Sequence, residues 1–138
     1  MSYRRTIPVE FNHCDPAGIV FYARYFEMTN SVCENFFAEV VGRSYAEVMA
    51  AGEGAPTARL EADFRLPSRL GDRLDWTLTV LRVGRSSLDL ALTARVGAGD
   101  TRLEVRKTLV WIGRGGKPAA WPREMRARLE AAREHGDE

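Results

Sequence analysis

The chain has 138 residues, about the size of one domain, and a compact domain of that length buries roughly 70% of its unfolded surface, so it needs neither disulfides nor a structural metal. Its 20 Lys and Arg against 19 Asp and Glu leave a net charge of +1 with no basic stripe or acidic block, which argues against nucleic acid and anionic membrane as partners but not against a small anionic ligand. No stretch approaches the ~20 apolar residues of a membrane span, and the opening MSYRRTIPVEF lacks the apolar run of a signal peptide, so a cytoplasmic location is expected.

The first segment alternates, with Tyr3, Arg5, Ile7, Val9 and Phe11 on one side and Arg4, Thr6, Pro8 and Glu10 on the other. It predicts a strand, and Pro8 predicts an edge or an interruption, because proline donates nothing to a ladder. From Tyr22 the period lengthens: Tyr22, Phe26, Thr29, Cys33, Phe36, Phe37 and Val40 recur at three- and four-residue steps, the stripe of a long helix. Gly42 is placed to end it. A short second helix follows, with Ser44 as N-cap and Glu47 completing a capping box, and Gly52 and Gly54 close it.

Alternation then dominates. Leu60, Ala62, Phe64 and Leu66 predict a half-buried strand; Leu74, Trp76, Leu78 and Val80, then Leu88 to Val96, then Leu103, Val105, Leu109 and Trp111 predict three more. The separators LPSRLGD, VGRSS and VGAGDT are short and turn-rich, which predicts antiparallel neighbours in a meander. Pro122 stands at the first position of a charged terminal helix running to His135. The order contains no alternating strand and helix units that would demand a parallel sheet, and one α+β domain over residues 1–138 is expected, its antiparallel sheet of about five strands wrapped around the one long apolar helix.

The chemistry concentrates in FNHCDPAGIVFYARYF, residues 11–26. Cys14 and Cys33 lack CxxC spacing, so neither a disulfide nor a metal site is expected. His13 and Cys14 are adjacent in an extended segment, which turns their side chains apart and argues against a thiol with its base. Asp15, Pro16 and Gly18 lie between the first strand and the long helix, where backbone N–H groups lack helical partners. Such an end favours an anion and can hydrogen-bond a carbonyl oxygen that gains charge, so a carboxylate acting as general base or nucleophile beside an oxyanion site is one reading. The other is a plain Asp-Pro turn in which Asp15 only caps, and spacing alone does not choose.

The run HCDPAGIVFYARYFEM resembles the active-site segment of hotdog-fold acyl-CoA thioesterases, particularly the 4-hydroxybenzoyl-CoA thioesterase branch, and the element order resembles that fold over nearly the whole chain. The resemblance implies Asp15 as the catalytic carboxylate, Tyr22 as the donor of a backbone N–H to the thioester carbonyl, and Gly18 and Tyr25 as substrate-binding residues. It implies that the position of the aspartate that meets the phenol hydroxyl in the hydroxybenzoyl enzyme is Asn30 here; an asparagine offers no carboxylate to a phenol, so a broader or different acyl group, short-chain or aromatic, is expected. The Tol-Pal-linked branch carries histidine where this chain has Tyr22. Coenzyme A, as part of the substrate and with no separate cofactor or metal, is expected on the turn holding Arg85, Ser86 and Ser87, with further phosphate contacts from arginines of a neighbouring subunit, among Arg102, Arg106, Arg114, Arg123 and Arg126. Edge-to-edge dimers that assemble into tetramers are also implied.

Glu27, Glu34 and Glu61 are further candidate carboxylates, most simply surface charge. The alternatives are a hotdog hydratase or dehydratase, for which His13 is the candidate histidine, and a non-catalytic acyl-CoA-binding protein.

Overall fold

The computed structural model describes residues 2–136. Strand β1 (Tyr3–Pro8) leads through a short 3-10 turn at Phe11–His13 and a loop into helix α1 (Arg24–Phe36), which continues as one wide π-helical turn over Phe37–Val41. Helix α2 (Tyr45–Ala50), strands β2 (Thr57–Phe64), β3 (Arg73–Val83), β4 (Ser87–Arg95) and β5 (Thr101–Val110), and helix α3 (Arg123–Gly136) follow. All pairings are antiparallel and the sheet order is β1-β3-β4-β5-β2.

The α+β architecture and the strand periods agree with expectation, because alternation places one face of β3, β4 and β5 inward: Leu74, Trp76, Leu78, Val80, Leu88, Leu90, Leu92, Ala94, Leu103, Val105 and Leu109 are all buried. Against them α1 lays Tyr25, Met28, Thr29, Val32, Cys33 and Phe36. This shifts the expected stripe. Tyr22 and Phe26 lie at its rim while Tyr25, Met28 and Val32 fill the core, since a stripe this broad has more apolar positions than one helix face can bury.

Three expectations are corrected. Phe11 does not continue β1; it sits in the 3-10 turn, 83% exposed. Strands β2 and β3 are not neighbours: only β3-β4-β5 is a meander, while β2 pairs with β5, so LPSRLGD crosses three strand spacings, about 14 Å, instead of turning a hairpin. Turn-rich composition signals a change of direction and says nothing of where the next strand lands. Finally, β2 is an edge strand whose apolar face is largely open, with Leu60, Phe64 and Leu66 exposed. The Pro8 edge, by contrast, is where proline requires it.

The terminal helix is more than a charged tail. Trp121 before it and Met125 and Leu129 within it are buried; Trp121 stacks on Trp111 with ring centroids 5.3 Å apart, and its Nε1 donates to the Ser87 carbonyl at 3.0 Å. Pro122 stands just outside the helix, accepting from the Arg126 N–H. His135 falls beyond the side chains described.

Gly42 ends the long helix at φ 87, a left-handed conformation that side chains with a Cβ resist. The Glu47 N–H donates to Ser44 Oγ at 3.1 Å and the Ser44 N–H to Glu47 Oε1 at 3.2 Å, the reciprocal box expected. Ser44→Ala is therefore expected to cost about 1 kcal/mol, read as a fall in Tm of about 3 °C. Hydrogen bonds from the Ser44 backbone N–H and then its hydroxyl hold the Glu47 carboxyl below its usual range. That contribution is complete above the unfolded carboxyl's pKa and disappears as pH falls through the depressed value, so the gap between wild type and Ser44→Ala should narrow in acid.

Candidate active site

Loop 10–20 is sewn onto the crossing segment between β2 and β3. Val20 N–H donates to the Ser68 carbonyl at 2.8 Å, Val9 N–H to Asp72 at 2.7 Å and Gly71 N–H back to Val9 at 3.0 Å, while Ile19 bridges to Arg69. Arg102 clamps that segment from β5, with Nη1 2.8 Å from the Pro67 carbonyl and 3.1 Å from Asp72 Oδ2. The β2–β3 crossing is thus the floor under the motif.

Upon it the chain folds into a small hairpin, with Cys14 bridged to Val20 and Phe21 N–H donating to the His13 carbonyl at 2.9 Å. Asp15 opens the turn: its N–H donates to Ile19, its carbonyl accepts from Gly18, and its Oδ1 accepts from the Ala17 N–H at 2.9 Å, an Asx turn. Oδ2 accepts no hydrogen bond among the described residues. Gly18 has φ 80, and a Cβ there would meet nothing within 4 Å, so this glycine is required by backbone conformation and not by close approach.

Beyond the hairpin, α1 begins. Arg24, Tyr25 and Phe26 N–H groups reach back to Phe21, Tyr22 and Ala23, but the Tyr22 and Ala23 N–H groups donate to no acceptor among the described residues. Two free donors therefore stand at the start of a long helix, the arrangement that favours a developing oxyanion. The Tyr22 ring, 58% exposed, meets Phe64 edge to face at 6.2 Å and Phe21 at 5.1 Å. Tyr25 is buried beside the same Phe64, whereas Phe26 is only half-buried.

His13 and Cys14 make no catalytic pair. His13 Nδ1 accepts the Glu10 N–H at 2.9 Å, and the Cys14 thiol points at the Glu10 carbonyl. Glu27 is paired with Arg24 at 2.5 Å and Glu61 with Arg59, both exposed, while Glu34 lies on the solvent side of α1. These are the surface roles expected.

The turn of Arg85, Ser86 and Ser87 is rigidly backed. Trp111 N–H donates to Ser86 O at 2.6 Å, Trp121 N–H to Arg85 O at 3.1 Å and Arg126 Nη2 to Gly84 O at 2.6 Å, leaving the Arg85 side chain exposed. Arg123, at the start of α3, is exposed beside it. Within one chain, however, this turn is not at the Asp15 site. It closes β3 at Val83, whereas Asp15 packs by the segment that enters β3 at Arg73, and the 11 residues between span about 30 Å or more.

One buried charged side chain beside a predicted site residue was not anticipated from the sequence. Lys107 occupies an inward position of β5 between Val105 and Leu109, and its Nζ donates to Asn30 Oδ1 at 2.7 Å. The signal was available: a lysine where strand alternation calls for an apolar residue.

A five-stranded antiparallel sheet folded around one long helix is the hotdog architecture, here with a carboxylate turn in the loop that leads into that helix. The chain belongs to the thioesterase-like superfamily, whose family model matches residues 9–129. No curated protein matches it closely in sequence. Among solved structures it is similar to a Staphylococcus aureus protein determined in complex with CoA (TM-score 0.90, 18% identity, 97% of this chain and 85% of that one covered). It is likewise similar to a 1,4-dihydroxy-2-naphthoyl-CoA thioesterase from Synechocystis (0.85, 18%, 94% and 96%) and to the gentisyl-coenzyme A thioesterase BH1999 (0.84, 21%, 92% and 99%).

Proposed function

We propose that the protein hydrolyses an acyl-CoA thioester to the free acid and CoA, with Asp15 as the reacting carboxylate. The observation that carries this reading is one loop that holds both chemistries: Asp15 has Oδ1 anchored by Ala17 and an Oδ2 that accepts nothing among the described residues, and, where the loop enters α1, the Tyr22 and Ala23 N–H groups have no acceptor among them. The thioester carbonyl would accept from Tyr22 while Asp15 attacks it, or delivers a water to it, and the thiolate leaves. Direct attack would give an acyl-aspartyl anhydride that water then hydrolyses; base-assisted attack would form the acid in one step.

The site is completed by a second copy. Strand β2 has one partner, and Leu60, Phe64 and Tyr22 along its rim are 37%, 50% and 58% exposed, the kind of edge that pairing covers. Two β2 strands joined antiparallel about a two-fold axis put the Asp15 end of one copy beside the Arg85 end of the other. From β2 of one copy to the β3–β4 turn of the other is then three to four strand spacings, about 14–19 Å. Arg85, with Ser86, Ser87 and Arg123 beside it, would therefore hold the phosphates of the substrate cleaved by the partner's Asp15.

The experiment is free-thiol release from short, aromatic and long acyl-CoAs. Sustained turnover of at least one class is expected; saturable binding of the panel without turnover would instead make the protein an acyl-CoA-binding module.

A further inference from the structure

Lys107 is 4% exposed, and the inward positions around it on β3, β4 and β5 are apolar. Its register partners are Leu60 on β2 and Leu90 on β4, and Asn30 and Cys33 face it from α1. No carboxylate among the described residues pairs with it. Cys33 is no counter-charge, since burial pushes its thiol up and the nearby lysine only partly offsets this. A buried cation without an anion is destabilising, so stability does not account for this lysine.

Asn30 sharpens the chemistry. Because an ammonium only donates, it fixes Oδ1 towards itself and turns the Asn30 amide NH2 away, and that NH2 meets no acceptor among the described residues. One spare N–H pair from the amide and two from the ammonium make a donor-only group. It lies at the open β2 edge, beside exposed Asn30 and Leu60, on the face of the sheet that holds Phe64 and two helical turns beyond Tyr22.

We infer that Lys107 and Asn30 bind the far end of the acyl group, and that the preferred acyl-CoA carries an anionic, acceptor-only terminus such as a carboxylate. This deepens the acyl-CoA reading and rests on it. A neutral alkyl or phenyl end would leave the ammonium desolvated and unpaired, so discrimination comes from both sides of the comparison.

The test compares adipyl-CoA with hexanoyl-CoA, and 4-carboxybenzoyl-CoA with benzoyl-CoA, in wild type, Lys107→Met and Asn30→Asp, reading KM by thiol release and Kd by calorimetry. Wild type is expected to favour the carboxylated member of each pair by about ten- to hundredfold in KM and Kd. Both variants should bring that ratio close to one, Lys107→Met by removing the cation and Asn30→Asp by supplying its counter-charge. Equal values for the two members in wild type, or a preference that survives in either folded variant, would overturn the inference. Absence of thiol release from every substrate would sink the thioesterase reading alone, and the Kd ratios would still decide the role of Lys107.

Discussion

Asp15→Asn is expected to lower kcat for acyl-CoA hydrolysis by about a hundredfold or more while leaving Tm and near-UV circular dichroism unchanged. The argument for a clean effect is local. Asparagine keeps an Oδ1 that accepts the Ala17 N–H, so the Asx turn at 2.9 Å and the hairpin it opens survive. What disappears is the negative charge and the free Oδ2, which serve the reaction whether Asp15 attacks the thioester or draws a proton from water. The helix-start donors at Tyr22 and Ala23 are untouched, so binding should persist and the loss should fall on kcat more than on KM. A variant within tenfold of wild type would reduce Asp15 to a turn former.

The second large effect is expected from mixing two differently impaired subunits. Arg85→Ala should raise KM for acyl-CoA, because an exposed guanidinium on a rigid turn is lost as a phosphate contact. If each site joins Asp15 of one copy to Arg85 of its partner, dimers formed from Asp15→Asn and Arg85→Ala chains contain one site with both residues intact. Co-refolding the two variants should then recover low-KM activity in about a quarter of all sites, from random pairing about a two-fold axis. No recovery would mean that Asp15 and Arg85 do not share a site across the dimer. The distance along β3 within one chain makes this the sharper form of the CoA expectation, since it turns a residue assignment into a statement about symmetry.

Much of the fold was readable because it rests on local rules. The alternation of β3, β4 and β5, the helical stripe ending at Gly42, the Ser44 box and the Pro8 edge each follow from short-range geometry, and each is where the residues place it. The crossing from β2 to β3 was not readable. Arg65–Asp72 has a hairpin's composition, but which strand it reaches is decided by the sheet, where β5 takes β2 as its partner and β3 takes β1. That crossing supports the Asp15 loop, so the error lay next to the chemistry.

By itself, the sequence determined an α+β fold, the position of its long helix, and an Asp-Pro turn between the first strand and that helix, because strand period, helix period and turn residues act over a few neighbours. Only the tertiary structure decided that Arg85 and Asp15 lie at opposite ends of one strand, that β2 is an open apolar edge, and that Lys107 meets Asn30 77 residues away. Those relations depend on strand order and on which helix crosses which face, and nothing in a window of neighbouring residues carries that information.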